Sequence, residues 1–352
     1  MLSVDEAYMK MALAVASDGV GRVWPNPAVG CVIVNDGVVV GRGRTADGGR
    51  PHAEAAALEM AGARAKGADV YVTLEPCAER GRDESCCDKL IAAQVGRVIV
   101  ACHDPNPVVC TKGIAKLEAA GIQVDFGVCE EEAIAAHQGF FLRVTDNRPF
   151  VCLKQAVSHD GMIAAGKGER TQISGHDAQV YVHTLRSTYD AIAVGVNTVL
   201  VDDPMLNVRL AGEEHSIVRV VFDSDLRTPV GSRLVQTARD EAVWVVYKSA
   251  PTAACDALED AGVKLIQSGG CVRSALHALA EAGLTRLLVE GGARLHHSFV
   301  QSGMYDEVQI IKSPRVLGEQ GVRAAEMLFD VLDLKETHAL GEDLLEVYTK
   351  SG

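Results

Sequence analysis

Short runs of β-branched residues alternate with helix-forming stretches along this chain, and after one full series the alternation starts again. The break is "RVTDNRP" at residues 143–149, a polar stretch ending in proline, after which "FVCLKQAVS" opens a new strand. Strands that alternate with helices imply a sheet covered by helices. A second series implies a second core, and 352 residues are enough to bury both. Two α/β domains are therefore expected, residues 1–145 and residues 146–352. In the first, "VDEAYMKMALAVASDG" reads as a helix, with Ser3 and Glu6 at capping-box spacing and Gly19 as a stop. "AVGCVIVNDGVVVGRGRT" reads as a hairpin turning at Asn35-Asp36-Gly37. Helices are expected at 53–66 and 88–93, with strands at "DVYVTLEP" and "RVIVACHDP"; "GIAKLEAAG" then leads into "IQVDFG". In the second, a helix at 176–189 is followed by strands at "AIAVG", "RVVFDS", "AVWVVY", "KLIQSG", "RLLVEGG", "EVQIIKSP" and "LLEVYTK".

The net charge of −13 argues against a general nucleic-acid or membrane-surface binder, since no basic excess offsets phosphate repulsion. An anionic ligand would depend on a few local arginines and lysines. The N-terminus has acids where a signal peptide would be basic, and no long apolar run follows, so a cytoplasmic location is expected. In such a reducing compartment the ten cysteines point to metal ligation or core packing rather than disulfides.

One cysteine group has company. Pro51-His52-Ala53-Glu54 opens the element after the hairpin, and Glu75-Pro76-Cys77 ends the next strand. Histidine, glutamate two residues on, then Pro-Cys and a further cysteine match the signature of zinc-dependent base deaminases. One imidazole and two thiolates leave a fourth zinc position for water, whose pKa the metal lowers to about 7. The glutamate is not a ligand but a proton carrier. The closing cysteine is farther away than the signature has it, with residues 78–85 intervening, and both Cys86 and Cys87 qualify. Neighbours on a helix point about 100° apart, so only one can face a metal; the helical pattern of "CCDKLIAAQ" does not choose between them. The blander reading, a structural zinc site, would need a fourth protein ligand such as Cys102 or His103. Upstream, the Asn26 amide of "WPNPAVG" offers a donor and an acceptor to a pyrimidine edge. As a plain turn, Asn26 would only reverse the chain, and Gly30 would be a steric convenience.

The second half has no strand–GxGxxG–helix unit. "RLLVEGGARLHHSFV" offers instead a strand, Gly291-Gly292 and a helix start, where backbone N–H groups could approach a phosphate. Taken alone, such a turn needs glycine only for its dihedral angles.

Taken together, "PNPAVG", "PHAE", "VTLEPC", "CC", "DPNP", "KQAVSHDG", "LRSTYDAIAVGVNTVLVDDPMLNVR", "VEGG" and "SPRVLG" resemble the bifunctional deaminase/reductase family of riboflavin biosynthesis. The resemblance spans nearly the whole chain. It implies an N-terminal cytidine-deaminase-like three-layer αβα domain and a C-terminal dihydrofolate-reductase-like α/β domain. It implies His52, Cys77 and Cys86 as ligands of one zinc ion, with Glu54 as the catalytic proton shuttle and Cys87 as a bystander. The implied chemistry is hydrolytic deamination of 2,5-diamino-6-(5-phosphoribosylamino)pyrimidin-4-one, then NADPH-dependent reduction of its ribosyl group to ribityl. NADPH contacts carried over by position are Ala156, Gln172, Thr198, Asp202, Ser224, Gly291 and Gly292. Substrate contacts are Arg170, Arg186, Leu206, Arg209 and Glu290. Arg186 and Arg209 suit a ribose phosphate, and Lys154 could neutralise the reacting end. A homo-oligomer is left open.

Three places depart from the family. The segment between the ligand cysteines reads "AERGRDES", keeping Gly81 and Arg82 but losing a histidine, a threonine and two prolines. Gln172 stands where the family has tryptophan, with Arg170 in place of a small polar contact, and Thr111 replaces a glycine. These departures define the alternative, a diverged relative acting on another aminopyrimidine or inactive in one half.

Overall fold

The first helix begins where its capping signals put it. In a computed structural model that describes residues 2–79, 84–107, 110–210 and 216–351, α1 spans Val4–Ser17. The Glu6 N–H donates to the Ser3 hydroxyl, and the Ser3 N–H donates to the Glu6 carboxylate. The hairpin follows as β1 (Gly30–Asn35) and β2 (Val38–Arg44). Asp36 and Gly37 both take positive φ, 49° and 75°, the turn geometry whose twist matches that of the strands. Then come α2 (Ala53–Ala61), β3 (Asp69–Val72), α3 (Cys86–Ala92), β4 (Arg97–Val100), α4 (Lys112–Ala119), β5 (Gln123–Phe126), α5 (Glu130–Ala136) and α6 (Gln138–Thr145). The helix expected at 53–66 is an α-helix to Ala61, where Gly62 takes a positive φ of 55°, and goes on as a 3-10 helix over Gly62–Ala65; the strand expected at 69–76 ends at Val72. Neither α5 nor α6 was anticipated.

The first sheet runs β2-β1-β3-β4-β5, with β1 antiparallel to both neighbours and the rest parallel. Alternate residues face opposite sides. Val70, Val72, Val98 and Val100 pack under α2, α3 and α4, whereas Tyr71 and Ile99 pack under α1 and α5. The result is three layers. Gly30 proves more than a steric convenience: a Cβ there would lie 1.9 Å from the Ala12 carbonyl oxygen. A Cβ at Gly43 would likewise sit 2.5 Å from the Ala53 carbonyl oxygen. These contacts seat α1 and the first turn of α2 directly on strand backbone.

The chain forms two compact units that meet between Asn147 and Arg148. The second comprises β6 (Phe150–Val157), β7 (Met162–Ala164), α7 (His176–Ser187), β8 (Ala191–Gly195), α8 (Val196–Asp202), β9 (Val218–Phe222), α9 (Arg233–Gln236), β10 (Val243–Tyr247) and α10 (Thr252–Asp260). It continues with β11 (Lys264–Gln267), α11 (Val272–Glu281), β12 (Arg286–Val289), α12 (Ala293–Ser302), β13 (Glu307–Lys312), β14 (Val322–Arg323), β15 (Leu332–Leu340) and β16 (Asp343–Lys350). Its main sheet is ordered β11-β10-β9-β8-β12-β6-β13-β16-β15, parallel through β13 and antiparallel beyond. Because β12 inserts between β6 and β8, connections leave these strands in opposite directions, which opens a crevice at their carboxyl ends. Among the described residues, no helix is long and apolar enough to cross a membrane.

Candidate active sites

His52 is the N-cap of α2, and Glu54 lies in that helix's first turn. Cys77 follows β3, and Cys86 is the first residue of α3, whose N-cap is Ser85. The fold brings these together. His52 Nδ1 lies 3.3 Å from Cys86 Sγ and 3.8 Å from Cys77 Sγ, and the three ligand atoms all fall within 4.8 Å of one another. Tetrahedral zinc would separate a nitrogen from a sulfur by about 3.6 Å, so the donor set fits that ion. The Cys86 N–H donates to Cys77 Sγ at 3.3 Å. The bond from the Cys86 thiol, helped by His52 and opposed by burial, draws the Cys77 pKa down to about 4. Cys86, as the donor and itself buried, moves the other way. Cys77 thus carries the negative charge of the pair.

Cys87 is fully buried, and its thiol points at the carbonyl oxygens of Pro76 and Gly113, 3.4 and 3.5 Å away. Cys102 donates to the Thr73 carbonyl, and His103 faces Glu75. Neither joins the His52 cluster as a fourth ligand. Glu54 is only 3% exposed; burial raises its pKa, and its carboxylate is within bonding reach of Cys86.

A small pocket of about 30 Å³ opens beside these groups; Glu84 and the three ligands line it, as do Arg50, Glu79 and Lys89. No motif marks those three residues in the sequence. Glu79 is answered by Lys112 at 3.0 Å, so its charge is not directed unopposed at the pocket. Asn26 does not line this pocket. Its amide packs on Gly49, where a Cβ would lie 1.9 Å from Nδ2. Gly81, Arg82 and Asp83 lie outside the described residues. Thr111 takes φ 67°, a left-handed conformation rare for a β-branched residue and undemanding for the glycine it replaces.

In the second unit a cavity of about 420 Å³ opens at the ends of β6 and β12, bounded by α8. Ala156, Thr198, Asp202, Gly291, Gly292, Lys154, Glu290 and Arg170 line it. Neither Gly291 nor Gly292 has positive φ, so the dihedral explanation of this glycine pair does not hold. Close packing explains Gly291, where a Cβ would lie 2.8 Å from Leu295 Cδ2; at Gly292 a Cβ would have room, its nearest neighbour being the Thr198 hydroxyl at 4.0 Å. Gly292 is also the N-cap of α12, with no side-chain cap over the helix's first N–H groups.

Arg186, expected at a substrate phosphate, forms a two-bond pair with Glu290 at 2.8 and 2.9 Å and donates to the Asn207 carbonyl. Burial opposes the charge on Glu290, but Arg186 and Lys154 outweigh it and hold its pKa at about 2. Lys154 Nζ stands 4.0 Å from the same carboxylate. Arg209 is exposed and bonded to His183 and Asn207; Ser224 is exposed in the turn after β9; Leu206 is buried. Gln172 is exposed and accepts a bond from Arg315. Neither these four nor Arg186 lines the cavity. The sequence reading passed over Gln155, Ile163, Glu169 and Asn197, which do. Gln155 Nε2 is buried with no hydrogen-bond partner among the described residues.

Residues 2–102 match the family described as the cytidine and deoxycytidylate deaminase zinc-binding region, and residues 149–345 match the RibD C-terminal domain. Riboflavin biosynthesis protein RibD of Aquifex aeolicus is 40% identical over 349 residues, covering 97% of each chain. The chain belongs to the RibD family of bifunctional riboflavin-biosynthesis deaminase/reductases. Among solved structures, Acinetobacter baumannii RibD superposes with a TM-score of 0.90 at 34% identity over 99% of both chains. The Thermotoga maritima diaminohydroxyphosphoribosylaminopyrimidine deaminase/5-amino-6-(5-phosphoribosylamino)uracil reductase superposes at 0.87 and 32%, also over 99% of both. This RibD-family chain is therefore a deaminase and a reductase in one polypeptide. Its first unit is cytidine-deaminase-like with a zinc-binding region that contains the His52, Cys77 and Cys86 cluster, and its second is the dihydrofolate-reductase-like reductase. The fold class and bifunctional activity read from the sequence agree with these matches.

Proposed function

We propose that residues 1–145 remove the 2-amine of 2,5-diamino-6-(5-phosphoribosylamino)pyrimidin-4-one by hydrolysis, with one zinc ion held by His52, Cys77 and Cys86. Residues 146–352 then reduce the ribosyl group of the product to ribityl with NADPH. The observation that carries this reading is the convergence of one imidazole and two sulfurs beside the buried carboxylate of Glu54. Bound zinc supplies Lewis acidity that makes water a nucleophile near neutral pH. Glu54 takes the nucleophile's proton and returns it to the departing amine, a role favoured by the upward shift that burial gives its pKa. Arg50 and Lys89, which line the pocket beside Glu79 and Glu84, are the cations available there to the substrate's phosphate.

In the second unit the uncapped start of α12 and the Gly291–Gly292 space fit a pyrophosphate, and Thr198 lies beside them. The cavity, at about 420 Å³, is of the size usual for a small-molecule site. NADPH supplies the hydride when bound. Ala156 and Asp202 line its cavity, Lys154 and Glu290 orient the opened sugar, and Arg186 holds Glu290 ionised.

The test supplies zinc-loaded protein with the diaminopyrimidinone ribose phosphate and follows ammonia and nicotinamide absorbance. Ammonia without NADPH, then oxidation once NADPH is added, is the expected result. Zinc bound with neither signal would reject this substrate and favour the second reading, motivated by the rewritten segment 78–85, in which a different aminopyrimidine is used.

A further inference from the structure

A second group of metal-ligating side chains lies in the first unit, apart from His52, Cys77 and Cys86. Glu75 precedes Pro76-Cys77, while His103 and Cys110 both belong to the connection between β4 and α4. One ligand atom from each of these three lies within 4.8 Å of the others. His103 Nδ1 and Glu75 Oε2 are 3.1 Å apart. A tetrahedral zinc ion with bonds of about 2.0–2.1 Å would hold a nitrogen and an oxygen about 3.3 Å apart, so the pair is already close to ligand spacing.

The surroundings favour this reading. Glu75 has no exposed side-chain surface, and its orientation is fixed by backbone donors: Gly113 N–H to Oε1 at 2.9 Å and Thr111 N–H to Oε2 at 3.0 Å. Each carboxylate oxygen can accept more than one partner, so Oε2 keeps a lone pair for a cation. The His103 ring is stacked on Phe126 with centroids 4.0 Å apart, which holds its Nδ1 toward the carboxylate. Both His103 and Cys110 are partly exposed, so an ion can reach them. Nitrogen, thiolate and carboxylate are the three ligand types zinc accepts, and three protein ligands leave a fourth position for water.

We propose that Glu75, His103 and Cys110 form a second zinc site, distinct from the catalytic one. It acts as a clip that ties the segment leading to Cys77 to the β4–α4 connection. The site does not depend on the substrate or cofactor assignments above.

The test titrates metal-free, full-length protein with Zn²⁺ against a chromophoric chelator. Wild type is expected to take up two ions per chain, while His103→Gln and Cys110→Ala each take up one and keep ammonia release. A single zinc in saturated wild type overturns the proposal. So does a second ion that persists in both variants, because it then lies elsewhere. A measurement on wild type alone guards against misfolded variants: alkylation of Cys110, mapped by mass spectrometry, should be slowed at least tenfold by the second equivalent of zinc. Equal labelling with one and two equivalents also overturns it.

Discussion

The two sites of this chain are made in different ways. The metal centre gathers three side-chain ligand atoms within 4.8 Å, and its chemistry depends on what those atoms are. The reductase cavity, at about 420 Å³, is shaped by strand ends, a helix start and two missing Cβ atoms. Side-chain identity therefore marks the first site, and backbone shape marks the second. A short motif can disclose a metal site for that reason, whereas a cofactor pocket shows itself only when the chain is folded.

The largest expected effect separates the sites chemically. Glu54→Gln should lower ammonia release by about 10²–10⁴-fold. Zinc content and NADPH oxidation on already deaminated substrate should stay near wild type. If both reactions fell together, the two sites would not be independent. Removing zinc with a chelator should likewise silence only the first reaction.

Next comes the buried pair beneath the cavity. Arg186→Met leaves Glu290 without its two-bond partner, and urea unfolding should show a loss of about 3–5 kcal/mol. Adding Glu290→Leu and Lys154→Met should restore much of it, since replacing all three buried charges leaves none unpaired. A single-variant loss below about 1 kcal/mol would mean that Arg186 is not structural and would return it to the substrate.

A smaller effect tests shape. Gly292→Val fills space facing Thr198 without demanding a forbidden φ. It should raise the KM for NADPH about tenfold, or about 1.4 kcal/mol, with little change in melting temperature. An unchanged KM would move the cofactor away from the start of α12.

The smallest effect is common to both units. His137 in the first and His296 in the second are buried, and loss of hydration lowers each pKa to about 4. Unfolded histidine titrates near 6.5, so the unfolded chain takes up these protons first. Their contribution to stability is complete above about pH 6.5 and is lost as pH falls towards 4. His137→Gln and His296→Gln should each make stability less steep across that window. An unaltered slope in either variant would show that its imidazole is charged in the fold.

How much the sequence disclosed follows the same division. Ser3 with Glu6 and Asp36 with Gly37 located a helix start and a turn, because capping and positive φ are local requirements. Cys86 and Cys87 could not be told apart by periodicity. Only the fold shows one sulfur turned to His52 and the other to the carbonyls of Pro76 and Gly113. Strand β15 was missed because Asp333–Ala339 are all exposed, leaving the edge strand little apolar alternation. Arg186 looked like a free cation because nothing local predicts that Glu290, more than a hundred residues later, faces it.

The seam between Gly43 and Ala53 has a consequence for how such an enzyme could be re-engineered. It anchors the helix that carries His52 and Glu54, while Cys86 is anchored independently at the head of α3. Within residues 78–85, Glu79 and Glu84 line the pocket but cap neither helix, whereas Ser85 caps α3 by accepting from the Asp88 N–H. Metal retention and substrate preference are then separable at those first two positions. A library confined to Glu79 and Glu84 can be selected directly for new aminopyrimidines, with Cys77, Cys86 and the Ser85 cap kept in every member.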